Sequence, residues 1–279
     1  MHKLASSASF ILATVLLSGC WPWHKEEVPP PQAGRRNDRP PAAPLNSLEA
    51  KVADIAEHSA CATTRWKGRG DAPIGYIKGV ALVYAKSVCE TVRHSDTASK
   101  VMGQPVGGDD RDALAWYGLG GTDELTRLRV AYTMTIGLGM RESSGNTTDG
   151  VDTHKREMPT PSNAEAGLFQ ASHDSLRASP WLGRLYEQYT KTPQHCRLDV
   201  FTEGTEDLHT SIIGNGPEGD FQRFTKTCPA FATEYAVVML RVRRDHFGTV
   251  NNRDVQYIPS CESMLKTVEM TVATECPEG

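Results

Sequence analysis

Beyond residue 45, apolar residues recur mostly at helical spacing. Asn46 with Glu49 three positions on reads as a capping box, opening a helix with Leu48, Val52 and Ile55 on one face. After a turn-rich stretch from Gly68 to Gly75, the residues Ile77, Val80, Ala81, Tyr84 and Val88 predict a second helix. A third spans about Asp123 to Met140, where Leu125, Leu128, Val130, Ala131, Met134, Ile136 and Leu138 exceed one narrow stripe and predict burial on most sides. Gly137 and Gly139 in its last turns either permit close backbone packing or loosen the end. From Ser143 to Asn163 no periodicity is visible. Ser179-Pro180 opens another helix through Leu182, Leu185, Tyr186 and Tyr189. The stretch from Cys196 to Thr227, with Gly204, Gly214, Gly216, Pro217 and Gly219, reads as loop with short elements. Pro229 starts a helix with Phe231, Tyr235, Val238 and Val242 on one face, ended by Gly248, and a last helix uses Met264, Leu265, Val268 and Val272. Neither sheet-like alternation nor an internal repeat is visible, so a mainly α domain with a small irregular or β-containing loop region is expected over residues 46–279.

Residues 1–19 differ from this pattern. Lys3 and the apolar run from Ala8 to Leu17 have the layout of a secretory signal, with an apolar stretch too short to span a bilayer as a helix. The ending Leu17-Ser18-Gly19-Cys20 resembles the lipobox of bacterial lipoproteins. That resemblance implies diacylglycerol on Cys20, cleavage before it, and a lipid anchor; Trp21 in place of an Asp retention signal implies the outer membrane, facing the periplasm. Residues 21–45 hold seven prolines in 25 positions without apolar periodicity, so 20–45 reads as an acylated Cys and a tether. In polyproline II form it would reach on the order of 75 Å.

An exported chain changes the meaning of its seven cysteines. With Cys20 set aside, Cys61, Cys89, Cys196, Cys228, Cys261 and Cys276 form an even set in an oxidising compartment, and three disulfides are expected. Short loops close most readily, which favours Cys61 with Cys89, Cys196 with Cys228 and Cys261 with Cys276. Metal-ligand spacing and HExxH are missing from the sequence, so no metal or cofactor is expected. A formal charge of -4 lacks the positive field that drives nucleic-acid binding.

The chemistry concentrates after the third helix, in Gly139-Met140-Arg141-Glu142-Ser143-Ser144-Gly145 and, 25 residues beyond Glu142, in Gly167-Leu168-Phe169-Gln170. A carboxyl at the C-terminus of a buried helix meets the negative end of the dipole and apolar neighbours, and both raise its pKa. A neutral carboxylic acid near pH 6 to 7 is what glycosidic cleavage requires, because the leaving oxygen must be protonated. Over about Leu125 to Asp174 the chain resembles the lysozyme-like superfamily, particularly lytic transglycosylases and goose-type lysozymes, which place a Glu-Ser motif at a helix end and follow it with Gly-Leu-Met-Gln. The resemblance implies a lysozyme-like helical domain acting on peptidoglycan glycan strands. It makes Glu142 the acid/base and gives Ser143 an orienting or substrate-contacting role; Gly167, Leu168, Phe169 and Gln170 then line the groove.

The chain departs from that pattern in two places. The downstream Tyr-Asn-Ala-Gly segment is missing, with Glu234-Tyr235-Ala236 its nearest counterpart, and Ser172 stands where goose-type enzymes have an Asp. Asp149, Asp152 and Glu165 are the remaining candidates for a second acid, each also readable as a solvated loop charge. Without a water-activating partner at the expected place, the anhydro-forming outcome is favoured over hydrolysis. His154, His173 and His246 are scattered as ordinary surface or core histidines are, and Arg241, Arg243 and Arg244 suit a helix end or anionic cell-wall peptides. Two rivals remain: a non-catalytic peptidoglycan-binding or scaffolding lipoprotein on the same fold, and a chitinase- or chitosanase-like enzyme.

Overall fold

The computed structural model describes residues 44–150, 159–205 and 211–276; the signal, Cys20, most of the tether, Asp152 and His154 lie outside these residues. Helix α1 (Ser47–Glu57) starts where its cap dictates. Asn46 Oδ1 accepts from the Leu48 and Glu49 N–H groups at 3.0 and 2.9 Å, and Glu49 Oε2 accepts from the Asn46 N–H at 3.0 Å. A two-stranded antiparallel hairpin follows, β1 (Arg65–Trp66) with β2 (Gly70–Asp71), paired Arg65 to Asp71. Then come α2 (Ile74–Val92), the short α3 (Ser99–Met102) and α4 (Ala113–Trp116), and α5 (Glu124–Ser143), capped by Asp123 through the Thr126 N–H. After an irregular stretch come α6 (Pro180–Lys191), α7 (Leu198–Phe201), α8 (Gly216–Thr227), α9 (Pro229–Val242), α10 (Gly248–Asn251) and α11 (Pro259–Val272).

Among the described residues the fold is mainly helical, with a small β component of one two-stranded hairpin and one isolated bridge. Among the described residues no helix is long and apolar enough to cross a membrane. The centre is formed by α2, α5 and α9, which pack on one another and are covered by α1, α11, α6 and α8. Helix α5 is buried from Leu128 to Met140, as its crowded apolar positions predict, and α9 is buried all round from Pro229 to Arg241 rather than on the one face of Phe231, Tyr235, Val238 and Val242 alone. The two α5 glycines serve close packing. A Cβ on Gly137 would lie 2.1 Å from the Gln256 carbonyl, and one on Gly139 would lie 2.3 Å from the Tyr76 hydroxyl and 2.9 Å from the Phe169 ring.

Three expectations are corrected. The Pro229 helix stops at Val242 rather than Gly248, because the chain turns out at Arg243 into the 3-10 turn Arg244–His246. The Gly- and Pro-rich stretch after Cys196 holds a 12-residue helix, α8, whose Pro217 sits in the first turn where its missing N–H costs nothing, and whose Phe221 and Phe224 pack edge-on or tilted against Phe231 of α9. The disulfides join Cys61 to Cys261, Cys89 to Cys276 and Cys196 to Cys228, so only the last follows the short-loop rule. Doubling a loop adds only about 0.6 kcal/mol of closure cost, so the docking of α11 on α1 and α2 decides the other two pairs.

Arg241 does not face the surface. It is buried with Asp112, whose Oδ2 accepts from Arg241 Nε and Nη2 at 3.1 and 2.9 Å, while Met102 O accepts from Nη1 at 2.6 Å. A second buried group ties α11 down: Glu269 accepts from Tyr84 at 2.8 Å and from Arg129 and Lys266 at 2.5 Å each. With every partner placed, such pairs hold one arrangement of helices; removal of one partner would leave a buried charge.

Candidate active site

Glu142 is the penultimate residue of α5. The helix ends at Ser144, in the left-handed region at φ 56°, and the Ser144 and Gly145 N–H groups return to the Met140 and Gly139 carbonyls at 3.1 and 3.2 Å. This termination leaves Glu142 half-buried at the mouth of the core. Its Oε1 accepts a hydrogen bond from Thr249 Oγ1 at 2.5 Å. Burial pushes its pKa up; the Thr249 hydrogen bond acts downwards, the negative charge of Glu165 upwards, and Arg69 and Arg141 downwards, with a net rise. Arg69 comes from the turn between β1 and β2, where its guanidinium donates to the Arg141 carbonyl; Arg141 in turn points to Asp254 at 3.6 Å.

The two motifs separated by 25 residues meet directly. Ser143 Oγ lies 2.9 Å from the Leu168 carbonyl and 3.1 Å from that of Gly139, so its hydroxyl joins the helix end to the Gly167–Gln170 turn. That turn is the tip of a tight hairpin. Ala166 and Ala171 exchange two hydrogen bonds of 3.0 Å, Gly167 and Gln170 take φ of 74° and 49°, and the Gln170 N–H donates to the Gly167 carbonyl at 3.1 Å.

This geometry corrects the expected groove lining. Leu168 and Phe169 are 0% exposed and Ser143 is 7% exposed, so their side chains pack beneath the site rather than along it. Gly167 is buried against α8. Gln170 retains partial solvent access, and its Nε2 donates back to the Gly167 carbonyl at 3.1 Å. The apolar character of Leu168-Phe169 was a signal for burial in its own right.

The candidates for a second acid separate in space. Glu165 is half-buried and its charge reaches both Glu142 and Tyr235. Asp149 interacts instead with Lys226 and accepts the Gly150 N–H at 2.9 Å; its carbonyl accepts the Gly167 N–H at 3.1 Å. Burial holds the Lys226 ammonium below its usual range, against the pull of Asp149, and Lys226 Nζ donates to the Ser211 carbonyl at 2.9 Å. Asp152 lies outside the described residues. Tyr235 is fully buried, with its hydroxyl bonded to Ser175 Oγ and 3.3 Å from His246 Nε2. His173 packs edge-on against Phe221 at 5.7 Å between ring centres.

Sequence reasoning missed Thr249 and Arg69. Neither carries a local signal, since Thr249 is 107 positions from Glu142 and sits in a four-residue helix. Among the described residues no group of three or more His, Cys, Asp or Glu side chains is placed to hold a metal ion. No family model matches the chain, and no curated protein or solved structure matches it.

Replacing Ser143 by alanine is expected to cost about 1 to 1.5 kcal/mol, because the Leu168 carbonyl would lose its hydroxyl partner at a buried position. Urea denaturation of wild type and Ser143→Ala measures this; an unchanged midpoint would mean that the hydroxyl does not hold the turn.

Proposed function

We propose that this chain cleaves the glycan strand of peptidoglycan in the manner of a lytic transglycosylase, with Glu142 as general acid and then base, on a lysozyme-like fold. The observation that carries this reading is the placement of a half-buried carboxyl of raised pKa at the end of the central helix, with the Glu-Ser and Gly-Leu-Phe-Gln motifs joined through Ser143. A buried carboxyl near a second carboxylate stays protonated closer to neutrality, which suits it to protonate a glycosidic oxygen.

In the proposed reaction Glu142 gives its proton to the oxygen between the two sugars as the C1–O bond breaks and positive charge develops at C1. The resulting carboxylate removes the proton from the muramoyl 6-hydroxyl while O6 bonds to C1. A 1,6-anhydro end forms, Glu142 is again neutral, and no water is consumed. Glu165 supports a second outcome: as the carboxylate that acts on Glu142, it could direct water to C1 and give a reducing end.

The same proposal places the enzyme at the outer membrane through the lipid on Cys20, with residues 21–45 as the tether to a substrate in the periplasm. The test is mass spectrometry of soluble products released from purified sacculi by residues 46–279 with the disulfides formed. Anhydro-muropeptides support the proposal; reducing-end products assign hydrolysis, with Glu165→Gln the next variant. Retention on sacculi without products would support the binding lipoprotein, and release from chitosan alone the third class.

A further inference from the structure

We infer that Thr249 is a positioning residue for Glu142: its hydroxyl, delivered by α10, holds one carboxyl oxygen so that the other, Oε2, carries the proton to and from the substrate. This deepens the glycan-cleavage reading and rests on it. A carboxyl at a helix end can rotate about its last bonds, and its two oxygens are equivalent until something distinguishes them. The 2.5 Å bond from Thr249 Oγ1 to Oε1 does so. In the neutral acid a hydroxyl donor pairs with the carbonyl oxygen, leaving the O–H on Oε2. After the proton has left, the same donation stabilises the carboxylate until it is reprotonated. Ser143, the adjacent hydroxyl, is engaged with the Leu168 and Gly139 carbonyls instead.

A four-residue helix can orient a side chain only if it is itself held, and α10 is held on both sides. Val250 is fully buried and its carbonyl accepts from Trp116 Nε1 at 3.2 Å. Arg244 and Arg253, flanking α10 in sequence, lie over the Trp116 ring at 4.2 and 4.7 Å, and Arg253 Nη2 donates to the Trp116 carbonyl at 2.7 Å. The Arg244 N–H donates to the Arg111 carbonyl at 2.9 Å, and its guanidinium donates to Asn251 Oδ1. Past α10, the Asp254 N–H donates to the Thr249 carbonyl at 2.9 Å, and the Gln256 carbonyl abuts Gly137 of α5. This strap therefore places Thr249 against α5 by contacts that do not involve Glu142.

Among the described residues, the charged groups that act on Glu142 are Glu165 from the hairpin stem, Arg69 from the β turn and Arg141 from α5. Thr249 is the neutral donor in that set, and its bond favours the ionised carboxyl. Losing it therefore moves the basic limb of activity, where Glu142 deprotonates, to higher pH, even though the oriented acid is lost and the plateau falls.

The test compares wild type, Thr249→Val and Thr249→Ser. Product release from sacculi is measured across pH, and the Glu142 side-chain carboxyl carbon is titrated by NMR. Thr249→Val is expected to lower kcat about tenfold with KM unchanged, and to shift both the basic limb and the Glu142 titration upwards; Thr249→Ser should restore all three. A limb and titration that stay in place in Thr249→Val, or a Thr249→Ser variant as impaired as the valine, would overturn the inference while leaving the glycan-cleavage reading intact. If wild type itself releases nothing, the cleavage reading fails. The NMR titration then decides Thr249 separately: an upward shift upholds its hold on the carboxyl, and an unmoved one removes it.

Discussion

Glu142→Gln is expected to lower release of soluble muropeptides from sacculi by roughly a thousandfold, the middle of the range for loss of a general acid. Glutamine keeps the shape of the side chain and can still accept from Thr249, but it has no proton to give the leaving oxygen. Its effect on stability runs the other way. Glu142 has a folded-state pKa above its unfolded one, so its contribution to stability is full below the unfolded value and is lost as pH rises through the folded value. At pH 7 the wild type therefore bears a cost that the glutamine variant lacks, a small one because the group is half-exposed. Thermal melts should show Glu142→Gln at or slightly above wild type at neutral pH, with the gap closing below about pH 4. A variant that is inactive and also less stable would point to a structural role for Glu142; one that is stable and active would remove it from the chemistry. The raised pKa also sets the wild-type profile, whose basic limb should lie above the ordinary glutamate range.

Removing the Cys61–Cys261 bridge, as the Cys61→Ser/Cys261→Ser pair, is expected to cost about 4 kcal/mol in urea denaturation. With Cys89–Cys276 still closed, the loop this bridge completes in the unfolded chain is not its full span of 200 residues but about 43, from Cys61 to Cys89 and from Cys276 back to Cys261, close to the 32 residues between Cys196 and Cys228. Loop entropy alone therefore separates the two bridges by only about 0.3 kcal/mol, so a clearly larger loss for the Cys61/Cys261 pair than for the Cys196/Cys228 pair is the expected mark of α11 packing. The loss should spread beyond the bridge. Helix α11 also brings Glu269 to Arg129 and Tyr84, and a loosened α11 leaves those groups unsatisfied in the core. Removing Cys89–Cys276 as well, with a span of 187, would leave α11 no covalent tie to α1 or α2. Equal losses for the two double-serine variants would leave loop entropy as the whole account, with no share for the packing of α11.

What the sequence revealed follows from the range of the interaction concerned. Asn46, Asp123 and Ser179-Pro180 announced their helices because a cap acts within three or four residues. The burial of α5 was legible in its crowded apolar positions. Helix α8 was hidden by Gly216, Pro217 and Gly219, whose unfavourable propensity is offset by Phe221 and Phe224 packing on α9, a tertiary contact that no local window contains. Glu142 and Glu165 could be singled out as candidates because each lies beside a motif, whereas Thr249 meets Glu142 across 107 residues. Two of the three cysteine pairings failed for the same reason: loop length separates the alternatives weakly, and helix docking separates them strongly.

The stapling of α11 onto the first two helices also fixes an order of events in folding. Contacts between segments about 200 positions apart come late and slowly, since the intervening chain must be gathered first. Cys196 and Cys228 can meet while α11 is still unplaced, but Cys61 and Cys89 must stay unpaired, and unpaired with each other, until the last helix arrives. The Cys61–Cys89 bridge favoured by proximity along the chain is thus a kinetic trap, and reaching the native pairing from it requires thiol–disulfide exchange. Maturation of this protein should therefore depend on a disulfide isomerase rather than on an oxidant alone.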